Sequence, residues 1–315
     1  MIEFGAPGKV VLWGEYAVLA GAPAMVMAVD RIARCRIEAR TDDWRCRARG
    51  FEGIEATSSK VALAAGEVPI ESVARVVAAV VQQIPQAPVG ADVFLDTSEF
   101  YRTGRKLGIG SSAAICVAAY HAVAALAGVE PNYPDALACH HNLQGPAGSG
   151  IDVAAAYSGG LQRFQDGSSS PRTLPAGLLM RFIWTGTPAD TTAHINRFES
   201  WRAQHDIAAL VALGAASEGL FQKTTIAALQ HYVDCLQELD NTAQLGIYDS
   251  SHTYLDTLAN DHQVVYKPCG AGGGDIGVAF SDDAERLIAF MNAAEQRFEM
   301  LPLEIAEYGI RATRE

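Results

Sequence analysis

Residues 106–113 read Lys-Leu-Gly-Ile-Gly-Ser-Ser-Ala, a stretch with almost no side chain at its centre and two hydroxyls near its end. Glycine tolerates positive φ and lets a ligand approach the main chain, and serine is both a hydroxyl donor and a good helix start. Backbone N–H groups at such a start are unpaired and sit at the positive end of the helix dipole, so the stretch is suited to holding an anion. Arg102, Arg105 and Lys106 lie in or just upstream of it, a local positive cluster in an otherwise acidic chain. A second glycine cluster, Gly270, Gly272, Gly273 and Gly274 in "KPCGAGGGDIGVAF", joins two apolar, strand-like runs. Consecutive glycines cost backbone entropy, which points to a loop that closes on a polar ligand or on the first loop.

Two charged residues complete the set. Lys9 follows a Pro-Gly turn at the head of an apolar segment, so its ammonium emerges near a strand start. Asp152 follows the loop "QGPAGSG" at the head of a small-residue helix, where the helix dipole favours the ionised carboxylate. Taken singly, each has a plainer reading: Lys9 as a solvated surface lysine, Glu15 of "GEY" as the acid of a turn, Asp152 as a helix cap. Residues 108–113 also match the G-x-G-x-x-A pattern of dinucleotide sites, but a basic loop precedes them instead of a hydrophobic strand, and GxxxxGK[ST] is absent.

The elements that must position these residues mix strands and helices. "VVLWGEYAVLAGAPAMVMAVD" predicts an apolar segment, a turn at Gly14-Glu15 and a second apolar segment ending at Asp30; "RIARCRIEAR" follows as a half-exposed strand. Helical spacing covers residues 70–83, and "ADVFLDTSEF" reads as a strand entering a polar loop. Further helices are expected at 112–126, stopped by Gly128, and at 133–143. A Ser/Pro-containing segment at 165–177 is the best domain boundary, giving lobes 1–175 and 176–315. Beyond it, helices are expected at 192–205 and at 207–239, the latter broken near Gly214 or Gly219. The mixture predicts an α+β fold.

Composition narrows the partners. With 315 residues, 49% hydrophobic and 19% charged, the chain is that of an ordinary globular protein of two domains. A formal net charge of −12 argues against nucleic acid as a partner, since that affinity rests on Lys and Arg meeting phosphates. An anionic substrate must then be drawn in by local cations. Six scattered cysteines without CxxC spacing suit a reduced cytoplasmic setting better than a disulfide framework or a zinc site. The opening residues lack signal-peptide character, and no apolar stretch is long enough to span a membrane. The expectation is a cytoplasmic monomer or homodimer that binds a small molecule, with no nucleic-acid or membrane partner.

Together, "APGKVVLWGEYAVLAG", "GIGSSAA" and "KPCGAGGGD", in this order, resemble the three motifs of the GHMP kinase superfamily, over residues 6–280. "DTSEFYRTGRKLGIGSSAA", "QGPAGSGIDVAAAYSGG" and "WTGTPADT" are most similar to its phosphomevalonate kinase group. The resemblance implies the two-lobed GHMP kinase fold, with a ribosomal protein S5 domain 2-like N-terminal lobe, a ferredoxin-like C-terminal lobe, and ATP with Mg2+ between them. It implies transfer of the γ-phosphoryl group to the 5-phosphate of mevalonate. Carried onto matching positions, Gly108, Ile109, Gly110, Ser111, Ser112 and Ala113 would wrap the ATP phosphates, with Ser111 or Ser112 on the magnesium ion. Lys9, Lys106 and Asp152 would stand beside the transferring group. The acceptor, a small phosphorylated or hydroxy-acid substrate, would meet Lys9, Lys106, His140, Ser149, Gly150, Asp152, Gly270, Ala271, Gly272 and Gly273.

Some positions depart from the family. Mevalonate kinases carry a glutamate metal ligand where this chain has "CHHNLQG", a glutamate that the phosphomevalonate kinase group also lacks. His141 stands where that group tends to have arginine, and Cys269 where serine is usual. A mevalonate kinase or a decarboxylase that phosphorylates before losing carboxylate are alternatives within the superfamily. A ligand sensor without turnover is the alternative of another class, and retention of Lys9, Ser111, Ser112 and Asp152 argues against it.

Overall fold

The computed structural model describes residues 1–50, 55–69, 73–145 and 148–313. Residues 70–72 of the expected 70–83 helix, and Pro146 and Ala147 of the loop before Asp152, lie outside the described residues.

The first half of the chain holds β1 (Ile2–Trp13), β2 (Ala24–Arg40), β3 (Trp44–Arg49), β4 (Glu55–Ser58), α1 (Lys60–Ala65), α2 (Ala74–Gln83) and β5 (Gly90–Asp96). The hairpin of β6 (Tyr101–Arg102) and β7 (Arg105–Lys106) follows, then α3 (Ser111–Ala127), α4 (Tyr133–Gln144), α5 (Ile151–Ser158), β8 (Leu161–Gln165) and β9 (Ser168–Arg172). The second half holds β10 (Leu179–Trp184), α6 (Thr191–Arg202), α7 (Ala208–Gln222), α8 (Ile226–Ala243), α9 (Ser250–Asp261) and β11 (Val265–Pro268). It ends with β12 (Ile276–Ser281), α10 (Ala284–Ala294), β13 (Glu299–Leu301) and β14 (Arg311–Ala312).

The first sheet runs β14-β1-β2-β5-β3-β4, with β8 and β9 added beside the start of β2. Where the sequence suggested two segments split at Asp30, β2 is one continuous strand whose early residues pair with β8 and whose later ones pair with β5. The break at Asp30 survives as an irregularity in the β1–β2 register, where Pro7 pairs with Ile32 and Gly8 with Val29 so that Asp30 and Arg31 are skipped; a second shift lies between Val11 and Trp13. Helix α3 packs on β1 and β2 and against α2, α4 and α5. Its residues from Ala113 to Ala124 are buried on every face, as expected of a helix apolar all round, and the alanines let its neighbours approach closely.

The second sheet is antiparallel, in the order β11-β12-β10-β13. Its strands alternate as a sheet covered on both faces must. Phe182, Trp184, Val278 and Phe280 face the main core, while Ile183, Ala279 and Tyr266 meet Leu255, Leu287 and Phe290 of α9 and α10. The main core continues from β1 through α7 and α8 to this sheet, so both halves of the chain contribute to one apolar interior.

The break expected at Gly214 or Gly219 lies elsewhere. Helix α7 runs through both glycines, and Gly214 lies close to Ala22, where an added Cβ would meet the alanine Cβ at 3.3 Å. The chain stops at Lys223, and Thr225 caps α8 by accepting the Ala228 N–H at 3.2 Å. All six cysteines are unpaired. Among the described residues no helix is long and apolar enough to cross a membrane.

Candidate active site

The anion-suited loop sits where β1 passes the N-terminus of α3. The Lys9 N–H donates to the Ile109 carbonyl at 2.8 Å, which stitches strand to loop. Gly8 makes this approach possible, because an added Cβ there would lie 2.6 Å from the Ile109 oxygen. Gly108 and Gly110 adopt φ of +78° and +80°, a left-handed conformation that costs an L side chain about 1–2 kcal/mol. No side chain caps α3, so its first-turn N–H groups remain available to an anion. Ile109 and Ala113 point into the core, each 1% exposed, so only their main chain can face a ligand. Ser111 is buried and Ser112 partly exposed at the same helix start.

Lys9 lies over this loop. An added Cβ at Gly110 would fall 3.0 Å from Lys9 Cγ, and the lysine Nζ reaches to 3.4 Å from Asp152 Oδ1. The side chain is 12% exposed, so the plain reading of Lys9 as a solvated surface lysine does not hold. Asp152 occupies the first turn of α5, whose N-cap is Gly150 at φ +82° with no side chain capping it. Ser149 accepts the Ile151 N–H at 3.4 Å beside it. On α4, burial pushes the His140 pKa below its ordinary value; the Asp152 charge opposes this and His141 adds to it, so His140 lies within electrostatic reach of Asp152.

The second glycine loop closes the other side. Gly270, Gly272 and Gly273 all have positive φ. Their reasons differ: a Cβ on Gly272 would strike Ile247 and one on Gly273 would strike His194, whereas one on Gly270 would meet only Lys9 Nζ, at 4.0 Å. The tip is tied down by the Tyr16 hydroxyl, which donates to the Ala271 carbonyl at 2.6 Å. Between the two loops is a cavity of about 10 Å³ lined by Lys9, Gly108, Cys269, Gly270 and Asp275, room for about one water.

Asp275 was not among the expected site residues, although it directly follows the glycines. Its carboxylate faces the first loop so closely that a Cβ on Gly108 would fall 2.3 Å from Oδ2. Burial raises its pKa, opposed by the Ala189 N–H and by the charges of Lys106 and Lys9. Lys106 is exposed on β7, yet this coupling brings it to the same carboxylate as Lys9. The other cations upstream turn away: Arg102 pairs with Glu299 at 2.7 Å, and Arg105 donates to the Gly186 carbonyl at 2.9 Å. The basic cluster is therefore divided, with two arginines fastening the hairpin to the second half and Lys106 exposed but within electrostatic reach of Asp275.

Glu15, read from sequence as a turn acid, is 4% exposed and paired with Lys267. Among the described residues no group of three or more His, Cys, Asp or Glu side chains could hold a metal ion.

An uncapped helix start, the Lys9 ammonium beside it and a glycine loop opposite make a site suited to a phosphate-bearing ligand. Residues 71–160, which contain the first loop and Asp152, match the GHMP kinases N terminal domain. The phosphomevalonate kinase of Streptomyces sp. (strain CL190) is 28% identical, over 95% of this chain and 95% of its own. A mevalonate kinase of Thermococcus gammatolerans is 26% identical over 97% of this chain and 96% of its own. Among solved structures, Streptococcus pneumoniae phosphomevalonate kinase in complex with phosphomevalonate and AMPPNP superposes with a TM-score of 0.77 at 19% identity, covering 97% of this chain and 100% of that one. Residues 71–160 are thus similar to the GHMP kinase N-terminal domain, and the chain has the mixed α+β fold seen in solved kinases of that group.

Proposed function

We propose that the protein is a kinase of the mevalonate pathway that transfers the γ-phosphoryl group of ATP to the phosphate of 5-phosphomevalonate. The observation that carries the reading is the Lys9–Asp152 pair, 3.4 Å apart, held over the positive-φ glycine loop at the start of α3. The likeness to a phosphomevalonate kinase over 95% of the chain supports the choice of acceptor. We place the division between the lobes near residue 175, between β9 and β10.

Phosphoryl transfer is chiefly positioning and neutralisation of charge. An oxygen of the acceptor phosphate forms a bond to the γ-phosphorus while the bond from that phosphorus to the β–γ bridging oxygen breaks, and ADP leaves with the electron pair. The acceptor's second pKa is about 6, so it is already ionised near neutrality and needs no strong base. That fits Asp152, whose carboxylate is engaged in orienting Lys9. Lys9 and Lys106 offset the repulsion between two anions, and the main-chain N–H groups of residues 108–113 hold the donor phosphates. His140, Ser149, Gly150 and residues 270–273 line the acceptor side. Magnesium bound with ATP, and touched by the Ser111 or Ser112 hydroxyl, would supply further neutralisation of the phosphate charge.

The test is coupled ADP release with ATP and Mg2+ against mevalonate, 5-phosphomevalonate, 5-diphosphomevalonate, homoserine and galactose. Turnover with 5-phosphomevalonate alone is the expected result. A preference for mevalonate moves the assignment one step upstream, and no turnover with any of them overturns it.

A further inference from the structure

Behind the cavity lies an ion pair that the transfer chemistry does not use. Lys267 of β11 is 0% exposed and Glu15, in the turn after β1, is 4% exposed, with Nζ and Oε1 2.5 Å apart. The fully buried Tyr232 of α8 donates its hydroxyl to the other carboxylate oxygen at 2.7 Å and accepts the Gly14 N–H at 2.8 Å. Both carboxylate oxygens thus have a partner. The network joins three elements that are remote in sequence and belong to both halves of the chain.

Burying two charges is expensive, and well-packed apolar residues in their place are often as stable or more so. Stability alone is therefore a poor reason for the pair. Its location offers a better one. Lys267 stands at the entry to the 269–275 glycine loop, and Tyr16, next to Glu15, holds the tip of that loop through the Ala271 carbonyl. One turn following β1 thereby grips the loop at both places, and β1 also carries Lys9. An apolar contact could slide, whereas a carboxylate shared between an ammonium and a phenol has one arrangement.

We propose that Glu15, Lys267 and Tyr232 are positioning residues that hold the glycine loop of the second half in fixed register with Lys9 of the first. The kinetic part of the argument rests on the reading of the cavity as the site of phosphoryl transfer; the structural part does not.

The decisive variant is Glu15→Gln/Lys267→Met, measured beside both single variants. Each single change strands a buried group and should lower the unfolding temperature sharply, while the double change removes both charges and should restore most of it. Register should remain lost in the double variant. Hydrogen exchange at the amides of Cys269, Gly273 and Asp275 is expected to quicken, and kcat to fall by about 10²-fold, the scale of a reacting group misplaced by 1 Å. Restored stability with parental exchange and parental kcat overturns the proposal, because the pair would then serve stability alone. Should the double variant not fold, Tyr232→Phe decides, since it deletes the phenol's hydrogen bonds with Glu15 and Gly14 and leaves the charges paired. Faster exchange at the same three amides supports the proposal, and unchanged exchange overturns it. A parent enzyme inactive on every acceptor would defeat the functional reading and leave the exchange measurement to judge this one.

Discussion

Replacing Lys9 with methionine removes a charge while keeping the stem that packs over Gly110. With Nζ 3.4 Å from Asp152 Oδ1, the direct attraction is about 5 kcal/mol at an effective dielectric of about 20 and about 1 kcal/mol in bulk water. The Asp152 side chain is 35% exposed, so solvent screening holds the pair's contribution to stability near the lower figure, about 1 kcal/mol. The unfolding temperature of Lys9→Met should therefore fall by only about 1–2 °C. Turnover should respond far more, because loss of one preorganised charge at the transferring group typically costs about 3–4 kcal/mol, or about 10²–10³ in kcat. Coupled ADP release at saturating ATP and acceptor, run beside a thermal scan, separates the two effects. A folded variant whose kcat stays within about threefold of the parent would remove Lys9 from the transfer step. Asp152→Asn should show a loss of similar size, and the double variant little more than the larger single loss, since the two act as one unit.

Two further outcomes follow from backbone geometry and from burial. Gly270→Ala should cost about 1–2 kcal/mol for its left-handed backbone alone, because the nearest atom to the new Cβ is Lys9 Nζ at 4.0 Å. Gly108→Ala should cost clearly more, since its Cβ must displace the Asp275 carboxylate lying 2.3 Å away; equal costs in chemical denaturation would contradict the observed approach of the two loops. Burial lowers the pKa of His121, His140 and His252 from the ordinary 6.5, so each is held neutral in the fold and takes up a proton more readily once unfolded. Stability linked to these groups is present above that value and is lost as pH falls through their folded pKa values. Asp256 and Asp275, raised by burial, act in the opposite sense and from a lower pH, their contribution being complete below 3.8 and lost as pH rises through their folded values. The unfolding temperature should therefore drop between about pH 7 and pH 5.5, and a flat profile there would show the histidines to be poorly shielded.

The legible features in the sequence were those set by local backbone demands. Gly108, Gly110 and Gly150 occupy positive φ at helix starts, and helices α3 and α4 begin and end within a residue or so of the positions their patterns indicate. The Lys9 and Asp152 assignments came from motif order, and the two side chains do meet. What was hidden depends on packing between distant segments. Glu15 and Lys267 stand 252 positions apart, and nothing local to a Gly-Glu-Tyr turn says that its acid will be sealed away with a lysine. Asp275 directly follows a glycine run, and nothing local to it points to its neighbour Gly108, which comes from the other half of the chain. For Arg102 and Arg105 the sign of the charge is local, but its direction is decided by Glu299 and Gly186. Gly214 misled for a related reason: an unbranched position useful for close contact with Ala22 resembled a helix stop.

The return of β14 to the first sheet has a bearing on how the protein comes into being. Phe4 and Gly5 pair with Ala312 and Arg311, the Ala306 N–H donates to Ala28, and the Gly160 N–H donates to Ala306. During translation the outer edge of β1 at Phe4 and Gly5, on the strand that bears Lys9, therefore waits bare until residues 311–312 leave the ribosome, and bare edges invite pairing with other chains. Proteolysis after Leu301 would reopen the same edge in the mature molecule, disturbing Lys9 from the far side of its own strand.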